Sequence, residues 1–256
     1  MTSQKNIQGF TLVEISIVLV IIGLIIGGIM AGRSLIHTTK LRDVISQVNQ
    51  YRTAIYAFDN KYDALPGDIP NAEDYWGNNG ANCTTTICNR NGNGDRIIGP
   101  QIIPPETLMA WKHLELAGML DKHVTGWPML SGSQTYARLD VNIPGTAIKG
   151  TGLGFMYGCW AGLFPCYGRI GNVIAFGSAP NDALNNGAVS PADAYYIDQK
   201  TDDGRPDHGN VRIAAIMRSA AFDNSCADSN PAFSLSGIYD LSVNDERSCR
   251  MVFFLD

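Results

Sequence analysis

The sequence predicts an α+β protein: a long N-terminal helix whose second half packs on a globular head with an antiparallel β-sheet. Three features predict this fold. Residues 10–31 are almost all apolar, with Glu14 as their single charge. Residues 41–58 repeat apolar side chains at helical spacing. The chain from residue 63 onward is rich in Gly, Pro and Asn and contains short apolar runs typical of strands.

Composition and charge narrow the class of protein. The 256 residues carry a formal net charge of −5, and no run of basic residues occurs, so we expect no nucleic-acid partner by default. Six cysteines at local spacings favour an oxidising compartment outside the cytoplasm.

The first element is an apolar helix long enough to cross a bilayer. Residues 10–31 span about 33 Å as a helix, against a hydrocarbon core of about 30 Å. A secretory signal peptide has a shorter apolar region followed by a small-x-small cleavage site, whereas Arg33 follows here. A plain signal peptide is therefore the weaker alternative. No cysteine lies near the run, which argues against a lipoprotein signal.

A short leader precedes this helix. Residues 1–9 carry one lysine, Lys5, and end in Gly9. The stretch from Gly9 to Glu14, GFTLVE, resembles the processing motif of type IV pilins and type II secretion pseudopilins. The resemblance implies that a prepilin peptidase cuts between Gly9 and Phe10 and methylates the new N-terminus of Phe10. It divides the chain into a leader (1–9), a transmembrane and assembly helix (10–32), an amphipathic continuation (33–62) and a periplasmic or extracellular head (63–256).

Glu14 needs a partner, because a carboxylate at membrane depth costs about 2.5–3.5 kcal/mol or more. Cleavage frees an ammonium on Phe10, a few residues from Glu14. We expect this amine to pair with Glu14 within one subunit or between neighbours, which sets the axial register of a polymer. The alternative is a functional carboxylate in an ordinary membrane anchor, which leaves Gly9 and the short leader unexplained.

The helix is predicted to continue to about Tyr62, a length of about 80 Å. No proline occurs between Phe10 and Ala64; many pilins have one where this chain has Ala31, so we expect no proline kink. The second half carries an apolar stripe that predicts packing on the head. The stripe comprises Leu41, Val44, Ile45, Val48, Tyr51, Ile55 and Phe58.

The head is predicted to begin after Pro66, Gly67 and Pro70 end the helix. A short helix is expected over residues 106–117, and another after Ser190, which is placed as an N-cap before Pro191. Strands are expected within residues 136–143, 169–176, 210–217 and 250–255.

Fifteen pairings of the six cysteines are formally open. Closeness in sequence favours Cys83–Cys88, Cys159–Cys166 and Cys226–Cys249. A zinc site is disfavoured because no C-x-x-C occurs and the four histidines are scattered.

Two loops are candidate calcium sites. The resemblance supports this interpretation, because some pseudopilins bind calcium in a loop of the head. The first loop offers oxygen ligands at alternate positions, although Pro100 stands where an EF-hand has its glutamate. The alternative for both loops is a turn rich in Asn, Asp and Gly for backbone reasons. The candidate ligands are Asn89, Asn91, Asn93 and Asp95 in the first loop and Asp198, Asp202, Asp203 and Asp207 in the second.

No catalytic or nucleotide-binding motif is present in the sequence, so we expect no enzyme and no required cofactor. The resemblance implies a structural subunit of a type IV pilus or type II secretion pseudopilus, held in the bacterial inner membrane by one span before assembly. Its implied partners are sister subunits, prepilin peptidase, an inner-membrane assembly platform and the lipid bilayer. The alternative is a minor tip subunit whose head recognises a surface, DNA or a secreted substrate.

Overall fold

The structure is a computed structural model, and it describes residues 11–77, 90–99, 106–126, 137–158, 169–179, 184, 186–214, 216–218, 221–223, 226–227, 237–243 and 247–255. The chain divides into two compact units, Met1–Lys40 and Leu41–Asp256. Helix α1 (Leu12–Tyr62) contributes residues to both.

Helix α1 changes character along its length. Between Leu12 and Ile36 its large apolar side chains are exposed to solvent in this structure. From residue 41 the helix buries one stripe, as the spacing of apolar residues predicts. The buried residues are Leu41, Val44, Val48, Tyr51, Ala54, Ile55 and Phe58, whereas the predicted Ile45 is only half-buried. The helix ends one residue before Asp63, which has a positive φ of 50°.

Two helices pack near the end of this stripe. They are α2 (Ala72–Trp76) and α3 (Glu106–Leu116). Trp111 of α3 is fully buried and lies edge-on to Tyr51 of α1, with ring centroids 5.1 Å apart. The aromatic contact ties α3 to α1 within the head.

A buried histidine joins α3 to two loops. Nδ1 of His113 accepts a hydrogen bond from the Gly67 N–H at 2.9 Å, and Nε2 lies 3.1 Å from the Arg90 carbonyl oxygen. An acceptor Nδ1 and a donor Nε2 define the neutral imidazole. Complete burial lowers the pKa of His113 to about 3. Gly67 is required here, because a Cβ on it would lie 2.4 Å from the Glu106 carbonyl oxygen.

The remaining elements follow in chain order: β1 (Thr151–Gly158), β2 (Gly171–Ser178), α4 (Pro191–Thr201), β3 (Val211–Ala214), β4 (Ile216–Arg218), β5 (Ala221–Asp223) and β6 (Arg250–Phe254). Four strands form an antiparallel sheet in the order β1-β2-β6-β3, while β4 and β5 pair with each other. Ile174 of β2 is aligned with Phe155 on one side and Phe253 on the other.

Helix α1 and the sheet share one hydrophobic core. The buried stripe of α1 belongs to the same cluster as Phe155, Ile174 and Phe253. Nη2 of Arg52 also donates a hydrogen bond to the Phe254 carbonyl oxygen at 3.0 Å. The predicted α+β fold, a long N-terminal helix with an antiparallel sheet in the head, is confirmed.

Individual elements differ from the predictions. Residues 137–143 form a tight turn rather than a strand, since the Arg138 carbonyl oxygen accepts hydrogen bonds from the N–H groups of Val141 and Asn142. The predicted strand at 210–217 is split, because β3 joins the large sheet and β4 joins the small one. Strands β1 and β5 and helix α2 were not predicted.

Candidate functional site

The first turn of α1 is closed by reciprocal hydrogen bonds between Thr11 and Glu14. Oε2 of Glu14 accepts hydrogen bonds from the Thr11 N–H and the Thr11 hydroxyl, each at 2.8 Å. The Glu14 N–H donates to Oγ1 of Thr11 at 3.2 Å. This is a capping box, in which Thr11 is the N-cap residue and Glu14 the third residue of the helix.

The capping box gives Glu14 a second role that the sequence analysis missed. The signature T-x-x-E ahead of an apolar run was readable at positions 11–14. Both bonds go to Oε2, and Oε1 accepts none within the described part of the chain. The Glu14 side chain therefore caps the helix with one carboxyl oxygen and leaves the other oxygen for a further partner.

Gly9 and Phe10 lie outside the described residues. The peptide N–H of Thr11 belongs to the Phe10–Thr11 bond, which a cut between Gly9 and Phe10 leaves intact. The capping box at Thr11 is therefore compatible with both the precursor and the cut chain.

The helix that follows satisfies its own polar groups. The hydroxyl of Ser16 donates to the Val13 carbonyl oxygen at 2.8 Å. Such internal bonding is what a hydrocarbon environment requires. The apolar part of α1 is long enough to cross a membrane, and no residue of its most apolar window is buried.

Comparison with known families identifies a motif in this segment. Residues 4–30 match the family model described as the prokaryotic N-terminal methylation motif. The chain carries the signature of type IV pilin and pseudopilin precursors. Searches among curated proteins and among solved structures gave no significant match. The apolar helix and the motif together fit a membrane-anchored subunit.

The compact unit Leu41–Asp256 contains one disulfide among its described residues. Cys226 is bonded to Cys249 with a Cα–Cα distance of 5.0 Å, as expected for the third pairing. Cys249 also exchanges two backbone hydrogen bonds with Val189, so the disulfide holds the segment that enters β6. Cys83, Cys88, Cys159 and Cys166 lie outside the described residues, and their pairings stay predictions.

In the first proposed calcium loop, the side-chain amides of Asn91 and Asn93 form hydrogen bonds with α2 and with Asp95. Oδ1 of Asn91 accepts the Glu73 N–H at 3.0 Å. Asn93 bonds twice to Asp95, through the Asp95 N–H and through one carboxylate oxygen, each at 2.9 Å. Asn89 lies outside the described residues.

A different set of acidic groups comes together at this loop. Carboxylate oxygens of Asp68, Asp95 and Glu106 all lie within 4.8 Å of one another. Asp68 accepts the N–H groups of Gly94 and Arg96 at 2.6 and 2.7 Å, and Glu106 accepts that of Gly99 at 2.9 Å. Burial raises the pKa of Asp68 and that of Glu106, although these bonds oppose the rise.

Asp68 and Glu106 were missed because their distance along the chain from Asp95 hides the contact. The three carboxylates have the ligand chemistry of a calcium site, and the same oxygens organise the loop backbone. Calcium binding at this loop stays a prediction.

The second acidic loop brings three of its four predicted residues together. Carboxylate oxygens of Asp198, Asp202 and Asp203 lie within 4.8 Å of one another, whereas Asp207 is not in that group. Asp198 is fully buried and accepts the Tyr239 hydroxyl at 2.7 Å. Burial, reinforced by the charges of Asp203 and Asp202, raises the pKa of Asp198 to about 7.

The side-chain carboxylates of Asp202 and Asp207 accept hydrogen bonds from backbone N–H groups. Asp202 accepts the Val211 N–H at 2.9 Å and also that of Asn210. Asp207 accepts the Gly237 N–H at 3.0 Å. These bonds connect the loop after α4 to the start of β3 and to the segment 237–243, which gives Asp202 and Asp207 a structural role.

Proposed function

We propose that this chain is a pilin-like structural subunit of a type IV pilus or a type II secretion pseudopilus. Prepilin peptidase removes residues 1–9, and the amine of Phe10 is methylated. Residues 10–32 anchor the precursor in the bacterial inner membrane and later join the filament core, residues 33–62 continue the helix, and residues 63–256 form a periplasmic head. The partners are sister subunits, the peptidase, the bilayer and an inner-membrane assembly platform.

The observation that carries this proposal is Glu14, which caps the start of an exposed apolar helix that matches the methylation motif. After cleavage, the ammonium of Phe10 is the nearest cation along the chain, since no basic residue occurs between Phe10 and Arg33. A carboxylate and an ammonium attract strongly in a medium of low dielectric constant, and separating them leaves two unpaired charges. Pairing between neighbouring subunits therefore selects one axial register.

The head supports a location outside the cytoplasm. The Cys226–Cys249 disulfide is of the kind that persists in oxidising compartments. An inner-membrane precursor with a periplasmic head meets that condition, because the periplasm is oxidising.

Two substitutions separate the capping role of Glu14 from its charge. Glu14→Gln keeps an acceptor for the Thr11 N–H, since glutamine also serves in a capping box, but it removes the counter-ion. Thr11→Val removes the hydroxyl and keeps the charge. We expect both precursors to insert and be cut, and we expect only Glu14→Gln to lose filament assembly by more than tenfold, measured in sheared fractions.

Mass spectrometry of the mature N-terminus tests the processing step. The proposal predicts a chain that begins with methylated Phe10. A mature chain that retains Met1, or that begins beyond Arg33, would contradict it.

A second candidate is a minor tip subunit, favoured by the size of the compact unit Leu41–Asp256. In that case the head recognises a surface, DNA or a secreted substrate. Abundance separates the two roles: a major subunit dominates sheared filaments, whereas a minor subunit is scarce in them but needed for assembly or adhesion.

A further inference from the structure

Basic residues follow the apolar part of α1 at the depth of the lipid headgroups. Residues 12–32 span about 32 Å of helix, which fills a hydrocarbon core of about 30 Å. Arg33 then falls at the edge of the hydrocarbon, and Lys40 lies about 10 Å further along the helix. The helix is unbroken through this region, so both residues are held at fixed positions along its axis.

Arg33, His37 and Lys40, which we call the basic stripe, occupy one face of α1 because they are spaced i, i+4 and i+7. All three residues are exposed. The sequence has no acidic residue between Glu14 and Asp43, which is three positions beyond Lys40. Within the described part of the chain, neither the Arg33 guanidinium nor the Lys40 ammonium is in an ion pair.

The basic stripe lies on the side of the membrane where positive charges next to a span are disfavoured. With the head outside the cytoplasm, Arg33 and Lys40 lie on the translocated side, while the leader carries only Lys5. Positive charges next to a span favour the cytoplasmic side, so these two residues oppose the orientation of the protein. A compensating interaction is therefore expected at the membrane surface.

We propose that the basic stripe binds the phosphate groups of anionic phospholipids in the leaflet that faces the head. The inference rests on the proposed function, because it takes residues 10–32 as the span. Arginine can bind a phosphate through two parallel hydrogen bonds, and lysine adds a point charge. Binding at this level fixes the depth and the rotation of α1 in the bilayer before the subunit is withdrawn for assembly.

Lipid selectivity measures this interaction directly. The full-length chain is reconstituted in phosphatidylcholine vesicles with a trace of spin-labelled phosphatidylglycerol or phosphatidylcholine, and electron paramagnetic resonance gives the ratio of their association constants. We expect a preference for phosphatidylglycerol of roughly fivefold per basic residue in the headgroup layer. The preference should shrink in 1 M NaCl, where the Debye length falls to about 3 Å.

Matched variants identify the residues responsible. Arg33→Gln with Lys40→Gln should reduce the preference at least fivefold, while Arg33→Lys with Lys40→Arg should keep it. The control, Lys61→Gln with Lys149→Gln, removes two charges from the compact unit Leu41–Asp256 and should leave the preference unchanged. Carbonate extraction checks that every variant is inserted.

The wild-type protein alone can refute the inference, since equal association constants for the two lipids would overturn it whatever the variants do. A loss below twofold in the Arg33 and Lys40 double glutamine variant, or an equal loss in the control, would also overturn it. If the chain is cut and assembles normally but shows no lipid preference, this inference is refuted and the proposed function is not. Lipid preference in a chain that is never cut after Gly9 refutes the proposed function alone.

Discussion

Acid should destabilise the head through His113, and His113→Asn should remove that sensitivity. The wild-type imidazole is neutral because Nδ1 accepts the Gly67 N–H and Nε2 faces the Arg90 carbonyl oxygen. Protonation would place a second donor against the Gly67 N–H inside a fully buried site. Asparagine offers an oxygen near the position of Nδ1 and does not titrate.

The magnitude follows from the difference between the folded and unfolded pKa values. The folded pKa is lowered to about 3, against about 6.5 in an unfolded chain. Below pH 6.5 the unfolded chain therefore binds a proton that the folded chain does not, so stability is lost as the pH falls. The free energy of unfolding falls by about 1.4 kcal/mol per pH unit between pH 6.5 and 3. The accumulated loss at pH 5 is about 2 kcal/mol.

Urea unfolding of the full chain in detergent, followed by tryptophan fluorescence at pH 5 to 8, gives the free energy of unfolding for both proteins. Trp76 lies 5.4 Å from the His113 ring and reports on this site. His113→Asn should be less stable at pH 8, because it loses the bond to Arg90 and ring packing. Its free energy of unfolding should nevertheless depend less on pH than that of the wild type.

The difference between the two pH slopes isolates His113, since other groups titrate equally in both proteins. We expect a difference of about 1.4 kcal/mol per pH unit below pH 6. Equal slopes would refute the assignment of a buried neutral imidazole.

Three further predictions concern the head. The pKa of Asp198 is raised to about 7 in the folded chain, against about 3.8 in an unfolded chain, so this residue stabilises the fold increasingly as the pH falls from 8 towards 4. In the same assay, the free energy of unfolding of Asp198→Asn should lack this contribution, and a pH dependence equal to that of the wild type would contradict the prediction. Replacing Cys226 and Cys249 with serine opens a loop between residues 23 apart and should reduce the free energy of unfolding by about 3 kcal/mol in the chain-entropy model; equal urea midpoints would contradict this. If Asp68, Asp95 and Glu106 hold calcium, the melting temperature in millimolar calcium should exceed that in a chelator, and Asp95→Asn should reduce the difference; identical melts would reject the site.

Local sequence signals sufficed where neighbouring residues determine the structure. The apolar stripe of α1 and the Ser190–Pro191 start of α4 were readable, and Oγ of Ser190 accepts the Asp193 N–H at 3.2 Å. The apolar runs of β2 and β6 were also placed correctly, because a strand buried on both faces needs no alternation.

Prediction from sequence failed where contacts between residues distant in the chain determine the local structure. Strand β1 contains Gly152, Gly154 and Gly158, so its sequence reads as a loop. Gly152 is required by a close neighbour, since a Cβ there would lie 2.4 Å from a methyl group of Leu139. That contact is visible only in the folded chain.

The candidate site shows the same division. Glu14 was found from the motif, since an isolated charge in an apolar run stands out. The cluster of Asp68, Asp95 and Glu106 combines three separate segments, and no spacing in the sequence connects them.

The role of the Glu14 charge in assembly is tested most directly by comparing the filament yields of Glu14→Gln and Thr11→Val, with the mature N-terminus of each checked by mass spectrometry. We expect both chains to begin with methylated Phe10, and we expect Thr11→Val but not Glu14→Gln to assemble. Normal filaments from Glu14→Gln would contradict the claim that the Glu14 charge pairs with the freed amine during assembly.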